Sequence, residues 1–165
     1  MSAPTAVYAG SFDPVTLGHL DIVRRGAAIF EQVVVGVGDN PAKRYLLDKD
    51  QRVGLLREVV ADLPNVRVGC FGGLLVDFCR SIDARVIIRG LRAVADFEFE
   101  FQVGLANRDM APGIETVFLL PAPRNIFISS SLVKEIFVNG GDVTPYVPAA
   151  TLQALRRSCP SGPRG

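Results

Sequence analysis

Residues that build metal sites and disulfides are scarce in this sequence. The 165-residue chain has one histidine, His19, and three cysteines, Cys70, Cys79 and Cys159. The cysteines are odd in number and form no C-x-x-C pair, which predicts free thiols in a reducing compartment. With a single histidine and no such pair, a structural zinc site is not expected, and no metal held by protein ligands is predicted.

A large excess of charge and a long apolar run are also missing. The chain has 18 Lys and Arg against 17 Asp and Glu, for a net charge of +1. No global field therefore draws it to nucleic acid or to an anionic membrane. No apolar run approaches the ~18 residues of a membrane span, and residues 1–5 lack the features of a signal peptide. We expect a soluble, cytoplasmic protein with neither nucleic-acid nor membrane partners.

Two familiar nucleotide-binding motifs are absent as well. The sequence has no Walker-type glycine loop and no G-x-G-x-x-G motif. An enzyme that transfers hydride to or from a dinucleotide is therefore disfavoured.

Short apolar runs alternate with segments of helical periodicity. The runs cover residues 5–9, 32–37, 65–71, 84–88 and 115–120, and the helical segments cover residues 17–31, 48–63, 74–82, 96–110, 130–138 and 148–157. This alternation predicts an α/β fold: a single Rossmann-like domain with a five-stranded parallel sheet and helices on both faces. We assign residues 1–157 to the domain and predict a disordered C-terminal tail over residues 158–165, which are rich in Ser, Pro and Gly.

The turn after the first predicted strand contains the histidine. The sequence there is Gly-Ser-Phe-Asp-Pro over residues 10–14, followed by Thr-Leu-Gly-His over residues 16–19. Gly18 and His19 fall where the first helix begins, and the unpaired N–H groups of a helix start favour an anion. The imidazole there can donate a hydrogen bond to phosphate. A surface or half-buried structural histidine is the alternative.

Cations and hydroxyls follow several other predicted strands. In an open parallel sheet the ligand lies beyond the carboxyl ends of the strands, so these loops are expected to share one rim. Serines 129–131 open a predicted helix, where they either cap it or bind phosphate. The cationic and hydroxyl-bearing residues concerned are Lys43, Arg44, Arg89, Arg92, Arg124, Ser129, Ser130 and Ser131.

Two longer stretches, residues 88–100 (IRGLRAVADFEFE) and 127–135 (FISSSLVKE), together with T-x-G-H, carry a family resemblance. Over about residues 6–155 the chain resembles the bacterial phosphopantetheine adenylyltransferases of the nucleotidyltransferase superfamily. The resemblance implies a homohexamer that transfers the adenylyl group of ATP to 4'-phosphopantetheine, giving dephospho-coenzyme A and pyrophosphate. It also implies Mg²⁺ dependence and feedback inhibition by coenzyme A.

The resemblance also implies roles for individual residues. The catalytic group would be His19, Lys43 and Arg92. The acceptor side would be Ser11, Lys43, Leu75, Arg89, Asn107 and Glu135. The ATP side would be Ser11, Phe12, His19, Gly90, Leu91, Arg92, Glu100, Asn125, Ile126, Phe127, Ile128, Ser129, Ser130 and Ser131. Three positions depart from the usual family pattern: Ser11 is often threonine, Asn125 replaces an aromatic residue of some members, and Phe99 replaces a frequent tyrosine.

The implied reaction does not require a strongly basic or nucleophilic side chain. The attacking phosphate is already ionised near neutral pH, so no strong base and no covalent intermediate are expected. Mg²⁺ would be held mainly by the oxygens of ATP. Two rival functions stay open: an adenylyltransferase that acts on nicotinamide mononucleotide, and a nucleotide-binding regulatory module without turnover.

Overall fold

The computed structural model of the chain describes residues 4–158, apart from the side chains of residues 94 and 95. Five strands alternate with helices along the chain. The elements are β1 (Thr5–Gly10), α1 (Leu17–Ile29), β2 (Gln32–Gly38), α2 (Lys49–Val59), β3 (Val66–Phe71), α3 (Leu75–Ser81), β4 (Val86–Gly90), α4 (Val94–Met110), β5 (Glu115–Leu119), a 3-10 turn (Pro123–Asn125), α5 (Ser130–Val138) and α6 (Ala149–Ser158).

The five strands form one parallel sheet in the order β3-β2-β1-β4-β5. Alternate strand residues pack into two apolar cores on opposite faces. In β1, Ala6 and Tyr8 belong to the core with α1 and α2, whereas Val7 and Ala9 belong to the core with α3. Burial on both faces explains the nearly continuous apolar runs. The predicted Rossmann-like fold is confirmed, and strand order reverses at β1, where such sheets bind ligands.

Some predicted helix ends are wrong by a few residues. The helix predicted over residues 48–63 ends at Val59, because Leu63 N–H donates to the Val60 carbonyl at 2.9 Å and the chain turns towards β3. The helix predicted from residue 96 begins at Val94, since Asp96 N–H already donates to the Ala93 carbonyl.

Two further predictions concern the C-terminal tail and the cysteines. Helix α6 ends at Ser158, and the rest of the predicted tail, together with Cys159, lies outside the described residues. Cys70 and Cys79 are free thiols. None of the helices described within residues 4–158 combines the length and apolar character needed to cross a membrane.

Candidate active site

The T-x-G-H motif is a helix cap in which histidine takes the place usually held by Glu or Gln. Thr16 is the N-cap of α1, and its Oγ1 accepts a hydrogen bond from the backbone N–H of His19 at 3.3 Å. In return, the backbone N–H of Thr16 donates to Nδ1 of His19 at 3.0 Å. This reciprocal pair is a capping box. It fixes the imidazole at the first turn of α1. The N–H groups of Leu17, His19 and Leu20 already donate to the Tyr146 carbonyl, Thr16 Oγ1 and the Thr16 carbonyl, so the expected group of unpaired N–H donors is reduced to that of Gly18.

The same hydrogen bond determines where the neutral ring carries its proton. A backbone N–H can only donate, so Nδ1 of His19 is an acceptor and the proton lies on Nε2. Burial, and after it the charge of Arg92, lowers the pKa of His19 to about 4. At neutral pH the residue is therefore an uncharged Nε2–H donor rather than a cation.

Aromatic packing holds the ring of His19 from behind. Phe12, which is 2% exposed, meets it edge to face with ring centroids 5.0 Å apart, and Tyr8 lies 5.6 Å from Phe12. Phe12 has φ +49°, a left-handed conformation that is uncommon outside glycine and is found at functional sites. The turn after β1 thus places a buried ring under the histidine.

A cleft of about 280 Å³ opens at the carboxyl ends of β1 and β4, near the lower limit of small-molecule sites. Its walls come from four parts of the chain: β1, the start of α1, the segment from β4 to α4, and the loop that leads into α5. The lining residues are Tyr8, Ala9, Gly10, Thr16, Gly18, His19, Ile22, Arg89, Gly90, Arg92, Glu100, Pro121, Asn125, Ile128, Ser129, Ser130 and Ser131.

Two arginines line this cleft in different electrostatic states. Arg89 forms a two-point ion pair with Glu100, with Nε–Oε2 and Nη2–Oε1 distances of 2.6 and 2.7 Å. Hydrogen bonding to Glu100 raises the pKa of Arg89, so its charge is permanent and internally balanced. Arg92 lies 3.5 Å from Asp96 and donates to the Ile128 carbonyl at 3.2 Å. Its more exposed charge is available to an anion.

A second cavity of about 380 Å³ contains the predicted lysine. Ser11 and Lys43 line it, whereas Gly10 lines the cleft, so the two spaces adjoin at the end of β1. Its lining residues are Ser11, Gly38, Asp39, Asn40, Pro41, Lys43, Tyr45, Phe71 and Gly73. Gly73 has φ +79°, a conformation that glycine adopts readily in a tight turn.

Asp13, the carboxylate within the turn after β1, is engaged in structural contacts. It is 2% exposed and accepts from the backbone N–H groups of Leu46 and Leu47 and from Nζ of Lys134 at 3.0 Å. The residue therefore ties the turn after β1 to the loop before α2 and to α5.

Several predicted site residues do not line either space. Leu75 packs against the core, and Asn107 is 7% exposed near the end of α4. Glu135 is exposed on α5. Phe12 acts through its packing under His19. Leu91, Ile126 and Phe127 belong to the rim segments but are not among the lining residues, and Arg124 lines a different pocket.

Two residues that contribute to the candidate site, Tyr8 and Arg52, were not predicted from the sequence. Tyr8 sits in a strand that is buried on both faces and so shows no alternation, yet it lines the cleft. Arg52 follows Lys49, Asp50 and Gln51 in a stretch that resembles a solvated helix start, yet it is 1% exposed. No group of three or more His, Cys, Asp or Glu suited to a metal ion occurs within the described part of the chain.

Comparisons with known proteins show the family to which the chain belongs. A family model described as cytidylyltransferase-like matches residues 7–136. A phosphopantetheine adenylyltransferase of Caldanaerobacter subterraneus subsp. tengcongensis is 49% identical over 150 residues, covering 91% of this chain and 94% of that protein. One of Stenotrophomonas maltophilia is 53% identical over 152 residues, covering 92% and 90%.

Solved structures with low identity share the fold. A protein described as a nicotinate-nucleotide adenylyltransferase from Vibrio parahaemolyticus matches with a TM-score of 0.69 at 18% identity, over 94% of this chain and 99% of that one. A bifunctional NMN adenylyltransferase/ADP ribose pyrophosphatase from Francisella tularensis matches with a TM-score of 0.74 at 14% identity, over 96% and 50%. On the family model and the two relatives, the chain belongs to the phosphopantetheine adenylyltransferase family and is a nucleotidyltransferase.

Proposed function

We propose that the chain transfers the adenylyl group of ATP to 4'-phosphopantetheine, giving dephospho-coenzyme A and pyrophosphate, a step of coenzyme A biosynthesis. One observation carries the proposal: His19 is held as a neutral Nε2–H donor at the start of α1, beside two arginines and next to a second cavity with a lysine. The names of the two relatives at about half identity support the choice of substrates.

In this proposal the cleft holds ATP. The Nε2–H of His19, the backbone N–H of Gly18 and Arg92 donate to the phosphates, and the loop from Asn125 to Ser131 accommodates the rest of the nucleotide. Charge grows on the phosphate oxygens as the bond to pyrophosphate breaks. Donors fixed in advance stabilise that charge without reorganising, which is the largest single contribution that such a site can make.

The second cavity holds the phosphate of the acceptor. Lys43 and Ser11 bind it there, so that one of its oxygens attacks the α-phosphorus of ATP in line while pyrophosphate departs. Each space has one lining carboxylate, Glu100 in the cleft and Asp39 in the second cavity, and each is ion-paired with an arginine. Neither is available as a base, and a phosphate dianion needs none. Catalysis thus consists of alignment and charge stabilisation.

Mg²⁺ enters this scheme as part of the MgATP substrate. Because Glu100 is engaged by Arg89 at both carboxylate oxygens, the donor set of the cleft suits an ion that is held by phosphate oxygens and water. Its role when bound is to neutralise triphosphate charge.

The test is an assay of pyrophosphate release from MgATP with phosphopantetheine, with nicotinamide mononucleotide, or with no acceptor. We expect release only with phosphopantetheine. Release only with the mononucleotide would favour the rival adenylyltransferase. Binding of ATP or coenzyme A without release under any condition would favour a regulatory module.

Assembly and regulation extend the proposal. Phe97, Phe99, Phe101 and Leu105 on α4 are 44%, 65%, 48% and 53% exposed, an apolar surface that supports association between copies of the chain. The number of copies, six, is what the family resemblance implies. Coenzyme A contains the phosphopantetheine arm, so we expect it to compete with the acceptor for the second cavity. A competitive inhibition pattern against phosphopantetheine would test this.

A further inference from the structure

A buried arginine lies behind the second cavity without lining it. Arg52, on α2, is 1% exposed, and its side chain is among the largest that are fully buried in the described residues. Burying a cation is costly unless its donors are satisfied by well-placed partners. The partners of the Arg52 guanidinium therefore indicate what this buried charge does.

All four of its partners line the second cavity. One terminal nitrogen of Arg52 donates to the carbonyls of Ser11 and Gly38, each at 3.0 Å, and the other donates to Oδ1 of Asp39 at 2.9 Å. The guanidinium carbon lies 3.9 Å from the centre of the Tyr45 ring. A single planar group thereby joins the end of β1, the end of β2 and the loop that precedes α2.

From Tyr45 the contacts continue to the lysine. The backbone N–H of Asn40 donates to the Tyr45 hydroxyl at 2.9 Å, and the side-chain oxygen of Asn40 accepts from the N–H of Ala42 at 2.9 Å. The carbonyl of Asn40 accepts from the N–H of Lys43 at 2.9 Å. The loop that carries Lys43 is thus folded on itself, and its two ends, Asp39 and Tyr45, both rest on Arg52.

We propose that Arg52 is a positioning residue that sets Lys43 and Ser11 against the phosphate of the acceptor. The role rests on the proposed function, because it presupposes that the second cavity binds that phosphate. It needs arginine rather than lysine, since only the planar fork can reach two carbonyls, a carboxylate and a ring face at once. Through Asp39, Arg52 also neutralises the one carboxylate that would repel the acceptor there.

The decisive variant is Arg52→Lys, with Arg57→Lys as its matched control. Arg57 is exposed on the same helix, so the control makes the same chemical change away from the cavity. In Arg52→Lys we expect KM for phosphopantetheine to rise about tenfold while KM for ATP stays within about twofold. In a Lys43→Ala background the same substitution should change KM for phosphopantetheine by less than about twofold, because coupled residues are not additive.

Two results would contradict the positioning role and indicate a general structural one. The first is an equal rise in KM for phosphopantetheine and for ATP. The second is a double variant in which the separate effects of Arg52→Lys and Lys43→Ala on KM for phosphopantetheine multiply in full. Should Arg52→Lys fail to fold, Tyr45→Phe is the second variant. It keeps the ring under the guanidinium, removes only the acceptor of the Asn40 N–H, and is expected to raise KM for phosphopantetheine with little change for ATP.

Amide hydrogen exchange separates this proposal from the proposed function. Without any substrate, amides of residues 39–47 should exchange faster in Arg52→Lys than in the wild type and be unchanged in Arg57→Lys. Wild-type exchange rates in Arg52→Lys would overturn the positioning role, whatever the acceptor. Faster exchange, together with a wild-type enzyme that does not use phosphopantetheine, would overturn the proposed function and leave Arg52 as the organiser of this cavity.

Discussion

His19 should remain uncharged throughout the physiological pH range, and its removal should damage turnover more than binding. The ring is partly buried, its Nδ1 already accepts from Thr16 N–H, and its pKa is lowered to about 4. At about pH 6 an ordinary histidine is roughly three-quarters protonated, whereas His19 would be about 1% protonated. His19→Ala should lower kcat about a hundredfold, with a much smaller loss of ATP affinity, because the donor acts mainly on charge that develops in the transition state.

The lowered pKa also predicts a pH-dependent contribution to stability. In the unfolded chain His19 has the ordinary histidine pKa of 6.5, whereas in the folded chain its pKa is lowered to about 4. The stabilisation is therefore fully present above about pH 6.5 and is lost as the pH falls towards about 4, with a total of up to about 3 kcal/mol. His19→Gln should abolish this contribution, so the difference in unfolding free energy between the two proteins should shrink on acidification.

Because His19 is the only histidine of the sequence, its protonation state can be measured directly by NMR. In protein labelled with ¹⁵N at histidine, the ring signals should show the proton on Nε2 and no titration between about pH 5 and 8. The pH profile of kcat/KM should then have an acidic limb near pH ~6 that belongs to the acceptor phosphate. A phosphorothioate acceptor with a lower second pKa should move that limb down. A ring that titrates near its usual pKa, a proton on Nδ1, or a limb that stays in place with the phosphorothioate would refute this account of His19.

Three other predictions test the wider site. Lys43→Ala should raise KM for phosphopantetheine about tenfold or more and KM for ATP much less, as measured by initial rates. A larger effect on KM for ATP would mean that ATP binds in the second cavity and the acceptor in the cleft. Light scattering should report a mass about six times 17.8 kDa, and Phe99→Glu should reduce it; a wild-type monomer would contradict the assembly. Asp13→Asn should weaken the contact with Lys134 and lower the free energy of unfolding by about 1–3 kcal/mol in denaturant titrations. Its kcat should fall by less than about tenfold, whereas loss of a general base would cost more.

The strands and the place of the site were predictable because they follow from local rules. Runs such as Gln32–Gly38 are apolar along their whole length since both faces of the sheet are covered. Asp48 and Gln51 have the three-residue spacing of a capping box, and they form both of its hydrogen bonds. The parallel topology then brings the loops after the strands to one edge.

The pairings inside the site were not predictable, because they depend on contacts between distant segments. The capping box of Thr16 and His19 was missed since histidine is not the usual partner at its third helical position. The resemblance assigned Glu100 to the ATP side, but its ion pair with Arg89 joins two different elements, α4 and β4, and was not predicted. Arg52 shows the same limit, because its partners end two different strands and a loop.

These pairings show how a chain with almost no net charge would bind the two phosphorylated substrates of the proposed reaction. A cluster of bare arginines and lysines would repel itself whenever the substrates are absent. Arg89 is balanced by Glu100 and Arg52 by Asp39, so both can be partly or fully buried as fixed scaffolding. Lys43, which forms no ion pair within residues 4–158, then lines the second cavity. Arg92 lines the cleft, and its 3.5 Å ion pair with Asp96 is exposed to solvent and therefore only weakly compensates its charge. The overall balance of 18 basic and 17 acidic residues is therefore compatible with a cationic site, because the charge that matters is the part that the ion pairs leave uncompensated.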